Sequence, residues 1–105
     1  MPIISNKSDV SLSLSANQAL DYITANYMVI LAFAGQEDFD NAWKHVSKKC
    51  SLMRIKVVRV EPTEEHALDL QINRYPTYVL YRSGNESWMV LGNTAFTDKI
   101  EDMRP

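Results

Sequence analysis

Tyr27-Met28-Val29-Ile30-Leu31-Ala32-Phe33-Ala34 is the longest uninterrupted apolar run in the chain. Within it, Tyr27 to Phe33 is apolar without alternation and reads as a strand covered on both faces, at the centre of a sheet. Upstream, Ala16, Ala19, Leu20 and Ile23 recur at helical spacing between Ser15, which has Gln18 at capping-box distance, and Asn26. This predicts a helix over 16–26. Before it, Val10-Ser11-Leu12-Ser13-Leu14-Ser15 alternates with period two, the pattern of a strand with one buried face. Downstream, Gly35 ends the central strand, and Phe39, Ala42, Trp43, Val46 and Cys50 fall at i, i+3, i+4, i+7 and i+11. A second helix over 36–50 follows, with acids early and lysines late, as the backbone dipole favours.

The rest of the chain continues the alternation. Met53 to Val60 is a β-branched run, a third strand ended by Glu61-Pro62. Thr63 caps a third helix through Glu64, Glu65, Ala67, Leu68 and Ile72, which must stop before Tyr75-Pro76. Thr77–Tyr81, the turn Ser83-Gly84-Asn85 and Ser87–Leu91 read as a β-hairpin. Phe96, Ile100 and Met103 form a last helix behind the cap Thr94. The predicted order is β-α-β-α-β-α-β-β-α, an α/β chain with a mixed central sheet flanked by helices. Residues 1–9 read as an N-terminal arm and 10–105 as one domain.

Composition excludes several function classes. At 105 residues, 46% apolar and 23% charged, the chain suits a single globular core. A net charge of -2 and a pI near 5.6 give no general attraction to nucleic acid or anionic membranes. The apolar run is far short of the roughly 20 residues of a membrane span. Met1-Pro2-Ile3-Ile4 lacks a charged start and signal core, so a soluble, cytoplasmic protein is expected. The lone Cys50 excludes an internal disulfide, a zinc knuckle and a dithiol pair within one chain.

Three local features, in this order and spacing, resemble the thioredoxin superfamily over roughly Val10 to Met103. Val58-Arg59-Val60-Glu61 is similar to the strand end before that family's third helix. Ile72-Asn73-Arg74-Tyr75-Pro76-Thr77 is similar to its cis-proline loop, and Tyr81-Arg82-Ser83-Gly84-Asn85 followed by Gly92 to its hairpin. The resemblance implies a thioredoxin-like fold and a cis bond before Pro76. It also marks a departure: the family's oxidoreductases place Cys-x-x-Cys between the central strand and second helix, where the helix N-terminus activates a thiol. Here that stretch is Phe33-Ala34-Gly35-Gln36-Glu37-Asp38-Phe39, without cysteine or serine. Matching Phe39, Trp43 and Val46 to the family's apolar helix positions leaves the loop several residues shorter. The family's buried acid falls at Ala32 and its facing lysine at Val57.

The other candidate residues read as structural. Cys50, on or near the apolar face of the second helix, reads as a buried hydrophobe, with a monothiol redox role as the alternative. His66 among Glu64, Glu65 and Asp69 does not share a face with a second histidine, so it reads as a solvated helix face rather than a metal site. His45 has no visible partner for nucleophilic catalysis. Asn85-Glu86-Ser87 matches a glycosylation acceptor and reads as a turn. Glu37, Asp38 and Asp40 suit a first helical turn on dipole grounds.

No cofactor and no metal are expected. What the resemblance implies is a redox-inactive module that binds another protein, as an assembly factor, adaptor or subunit, through the family's docking surface. On this chain that surface comprises Gly35, Gln36, Glu37, Val60, Arg74, Tyr75, Pro76, Gly92 and Asn93. Two alternatives stay open: a monothiol enzyme acting through Cys50, and a structural protein whose sheet edge or Trp88 patch mediates homo-oligomerisation.

Overall fold

A computed structural model describes residues 16–60 and 72–104. They form α1 (Ala16–Ala25), β1 (Met28–Phe33), α2 (Gln36–Leu52), β2 (Lys56–Val60), β3 (Thr77–Arg82), β4 (Asn85–Leu91) and α3 (Asn93–Asp102). The strand expected at Val10–Ser15 and the helix expected from Thr63 fall outside the described residues. The described order, α-β-α-β-β-β-α, therefore differs from the predicted one at those two places. Ile72, expected to close the third helix, is non-helical and buried.

The sheet order is β2-β1-β3-β4. β1 lies parallel to β2 and antiparallel to β3, which pairs antiparallel with β4. The sequence-based reading of β1 holds from Val29, since Val29 through Ala34 are at most 1% exposed, but Tyr27 precedes the strand and is exposed, and Met28 is half-buried. Alternate residues serve two cores. Ile30, Ala32 and Ala34 pack with Val57, Tyr78 and Leu80 against Phe39, Ala42, Trp43, Val46 and Cys50 of α2 and Phe96 and Ile100 of α3. Val29, Leu31 and Phe33 pack on the other face with Val58, Val60, Val79, Tyr81 and Ile23 of α1.

Several element ends differ from the predicted ones, each for a backbone reason. α2 runs past Cys50 to Leu52, because its closure depends on main-chain bonds and not on the apolar stripe. Arg54 N–H donates to Ser51 O at 3.1 Å and Ile55 N–H to Cys50 O at 2.9 Å, the paired bonds of a Schellman cap. The left-handed residue that such a cap requires is Arg54, at φ 60°, where glycine is usual. β2 consequently starts at Lys56, not Met53. The hairpin turn is the two residues Ser83 and Gly84, both at positive φ, so Asn85 already pairs with Arg82. Asn85-Glu86-Ser87, expected as a turn, lies within β4, beside the register shift at Leu80/Tyr81.

The last helix begins at Asn93, with Gly92 and not Thr94 in the capping position. Gly92 N–H donates to Pro76 O at 2.9 Å, and Gly92 O accepts from Phe96 N–H at 3.1 Å. Those two bonds hold Gly92 at φ 94°, ψ 155°, a conformation that side-chain-bearing residues avoid. A Cβ there meets nothing within 4 Å, so the penalty for adding one is backbone strain and not collision. Gly92→Ala is expected to lower stability by about 1–3 kcal/mol. The check is a denaturant titration in which the midpoint falls and the slope is unchanged.

Candidate functional site

Strand register decides which loops meet. Phe33 at the end of β1 lies opposite Val60 at the end of β2 and Thr77 at the start of β3, and Thr77 lies opposite Leu91 at the end of β4. The segments adjoining these residues, Gly35-Gln36-Glu37, Arg74-Tyr75-Pro76 and Gly92-Asn93, therefore share one pole of the sheet.

The Tyr75-Pro76 bond is cis, as the resemblance implied. Two hydrogen bonds fix the loop: Thr77 Oγ1 donates to Arg74 O at 2.6 Å, and Gly92 N–H to Pro76 O at 2.9 Å. Asn93 ties the loop's surroundings together. Its Oδ1 accepts from the Tyr78 hydroxyl at 2.6 Å and its Nδ2 donates to Asp38 O at 2.9 Å, so one amide joins β3, α2 and α3. The Tyr78 ring is buried and stacks on Phe96 at 3.8 Å. Burial, reinforced by the nearby Asp38 charge, pushes the Tyr78 hydroxyl far above its ordinary pKa. It remains a neutral donor to Asn93.

Of the residues read from the sequence as a surface, Gln36, Glu37, Arg74 and Tyr75 are exposed, and Gly35, Pro76, Gly92 and Asn93 are partly so. Val60 is not: its side chain is 0% exposed and belongs to the core on the α1 face. Alternation along β2 turns it inward, so it has no side-chain contact to offer a partner.

The sequence reading also missed residues. A cleft of about 220 Å³ beside the loop is lined by Asn73, Arg74, Thr77, Met89 and Leu91 among others. Tyr75 (41% exposed), Met89 (41%) and Leu91 (47%) place three large apolar side chains in solvent at this end of the outer strand. Alternation along β4 identifies Met89 and Leu91 as sharing a face, but only the observed sheet shows that nothing described covers it. Arg59 was missed as well. It is 4% exposed on β2 and donates from Nη1 to Ala34 O at 3.1 Å, bracing the end of β1 beneath the short loop.

The arrangement offers no thiol chemistry at this pole. Only Ala34 and Gly35 separate β1 from α2. Ala32 and Val57, where the resemblance places an acid and a lysine, are both 0% exposed within the apolar core. Cys50 lies some 14 residues farther along α2 than Gln36, about 20 Å at the helical rise. It is fully buried, and burial pushes its thiol up to about 12 against the opposing pull of Lys49. His45 is exposed on α2. Among the described residues no group of three or more His, Cys, Asp or Glu side chains gathers as a metal site; His66, Glu64, Glu65 and Asp69 lie outside them. Among the described residues, too, no helix is long and apolar enough to cross a membrane.

No protein-family model matches the sequence, and no curated protein is significantly similar to it. Solved structures do match. Oxidised mitochondrial thioredoxin 3 of Saccharomyces cerevisiae superposes with a TM-score of 0.72 at 19% identity, over 94% of this chain and 99% of that one. The chain has the thioredoxin fold. Plasmodium falciparum thioredoxin gives 0.70 at 18% identity, over 89% and 100% of the two chains. A mutant thioredoxin from Halobacterium salinarum gives 0.69 at 18%, over 89% and 91%. At these identities the likeness is one of fold. With a single cysteine, this thioredoxin-like chain has no Cys-x-x-Cys pair.

The buried thiol sets an alkaline limit to stability. Its folded pKa of about 12 lies above the unfolded value near 9, so at high pH the unfolded chain loses the proton first. The Cys50 contribution is complete below pH 9 and is lost as pH rises toward 12, with a slope of about 1.4 kcal/mol per pH unit. Cys50→Ala is expected to remove the fall between pH 9 and 10 in urea titrations and to lessen it by about 1.4 kcal/mol per pH unit above that, where the buried Tyr78 and Tyr81 hydroxyls, also raised, contribute a fall of the same sign. In the folded wild type, an aromatic disulfide reagent should label Cys50 only at the rate of opening, rising to completion in denaturant.

Proposed function

We propose that this chain is a redox-inactive, thioredoxin-like protein-binding module that acts as an assembly factor, adaptor or subunit, in the cytoplasm, and is not an enzyme. The contact surface runs from Gly35-Gln36-Glu37 across Arg74-Tyr75-Pro76 to Gly92-Asn93 and continues onto Met89 and Leu91. The observation that carries this reading is the exposed apolar trio Tyr75, Met89 and Leu91 beside the 220 Å³ cleft. A folded chain that leaves large apolar side chains clustered in water has a use for them, and interface hot spots favour Tyr and Arg. β4 adds a second element of recognition. It is the outermost described strand, so its outer main-chain groups suit pairing with an extended segment of a partner.

The two alternatives find less support. A monothiol enzyme needs an accessible thiolate, and Cys50 combines full burial with a raised pKa. Self-assembly through Trp88 has a weaker basis than expected, since Trp88 is half-buried and packs on the α2 core. Tyr75→Ala is expected to weaken association with the partner by about 1–3 kcal/mol without unfolding the protein. Partners are obtained by cross-linked pull-down from the native host and retested with the variant by titration calorimetry. Equal affinities for wild type and variant remove Tyr75 from the surface. Insulin reduction abolished by Cys50→Ser would replace this reading with the monothiol one.

A further inference from the structure

The pole opposite the cis-proline loop carries a second, differently charged cleft. Register places it there: Met28 at the start of β1 lies opposite Arg82 at the end of β3, at the far end of the sheet from Phe33 and Thr77. The cleft, of about 370 Å³, is lined by Tyr27, Leu52, Arg54, Arg82 and Arg104, with Met28 and Met53 on its floor. The three arginines come from three separate places: the cap of α2, the end of β3 and the residues after α3. All three are exposed. Arg82 Nη2 lies 3.9 Å from Met28 Sδ, and among the described residues none of the three guanidinium groups is paired with a carboxylate. In a chain of net charge -2, three like charges meet at one cleft and repel one another, and no Asp or Glu is among the described residues that line it.

Arg54 sharpens the point. It occupies the left-handed position of the α2 cap, where glycine is free of the steric penalty that any side chain incurs. A positive charge near a helix C-terminus is favourable, but Lys49 already supplies one in the last turn of α2 from an unstrained position. A side chain held in a disfavoured conformation at the mouth of a cationic cleft points to use of that side chain. Around the charges the rim is apolar and open, with Tyr27 63% and Leu52 76% exposed.

We infer that this cleft docks an acidic segment of a protein partner, its carboxylates held by Arg54, Arg82 and Arg104 and a neighbouring apolar side chain resting between Tyr27 and Leu52. Guanidinium groups bind carboxylates through paired hydrogen bonds, and the apolar rim fits a peptide side chain, which a bare phosphate lacks. This surface is independent of the cis-proline pole, so the two readings fail separately.

The test is fluorescence anisotropy with a labelled peptide of alternating glutamate and leucine, against its glutamine–leucine counterpart. The acidic peptide is expected to bind the wild type and the glutamine peptide is not. Arg82→Gln and Arg54→Gly should each weaken binding by about tenfold to a hundredfold. Tyr75→Ala should leave it unchanged. Arg54→Gly also relieves the left-handed strain, so it should melt at or above the wild-type temperature, which separates lost docking from lost folding. If that variant unfolds, Arg82→Gln, on an exposed strand end, carries the same comparison. Absence of binding, equal binding of the two peptides, or affinities unmoved by both arginine variants overturns the inference. Displacement by inorganic phosphate as effective as by unlabelled peptide reduces the cleft to a general anion site and overturns it too.

Discussion

β1 has no face in contact with water, and the rest of the molecule is arranged around that constraint. A strand buried on both sides must be apolar at every position, because each polar side chain placed there would need an internal partner. Val29 through Ala34 meet the requirement in full. The strand divides the interior into two cores, one closed by α2 and α3 and the other meeting α1, and both depend on its alternation. The same constraint limits chemistry. Ala32 places no titratable group on this strand, only a methyl group packed against the α2 core.

The register that buries β1 also fixes what lies at its two ends. At one end, hydrogen bonds to Arg74 O and Pro76 O hold the cis-proline loop, and Asn93 locks the corner to α2 and to Tyr78. Two of the residues read as contact surface are in effect its frame: Gly92 through its backbone and Asn93 through its amide. At the other end, the cap of α2, the end of β3 and the residues after α3 converge without carboxylates between them. The poles differ in charge as well as in place: Arg54, Arg82 and Arg104 line the second cleft, whereas among the described residues Arg74 is the one charged residue lining the first. Neither cleft shares a described lining residue with the other.

Features dictated by short-range patterns were legible in the sequence, and those dictated by tertiary neighbours were not. The unbroken apolar run of β1, from Val29 onward, and the i, i+3, i+4, i+7 stripe of α2 named their buried residues, because short-range pattern decides which faces are apolar, whereas Tyr27 at the start of the run is exposed because it precedes the strand. Proline's own geometry made the Tyr75-Pro76 loop readable. Val60 was misplaced because its nearness to the loop in sequence says nothing about which side of β2 it occupies. Met89 and Leu91 were missed for a related reason: alternation pairs them on one face, but whether that face is covered depends on where β4 sits in the sheet. Thr94 has the right chemistry for a helix cap, yet Gly92 takes the position because its main chain is held by Pro76 and Phe96. The arginine pole was invisible, since Arg54, Arg82 and Arg104 each read singly as a solvated charge.

Ala32 and Val57, buried and apolar, bear on stability as well as reactivity. Burying an acid and a lysine in the α2 core would cost several kcal/mol of desolvation per ion, recovered only with good geometry and further hydrogen bonds. Alanine and valine at the same places incur no such penalty and gain from burial at about 25 cal/mol per Å². Arg59 shows the contrast within one strand: its buried guanidinium on β2 donates to the main-chain carbonyl of Ala34, whereas Val57 two residues earlier packs in the apolar core. The residues at the cis-proline pole surround no thiol, since the chain's single cysteine, Cys50, lies far along α2. Gly92, bonded to Pro76 O, and Asn93, bonded to Asp38 O and the Tyr78 hydroxyl, fix the frame beside which Tyr75, Met89 and Leu91 stand exposed.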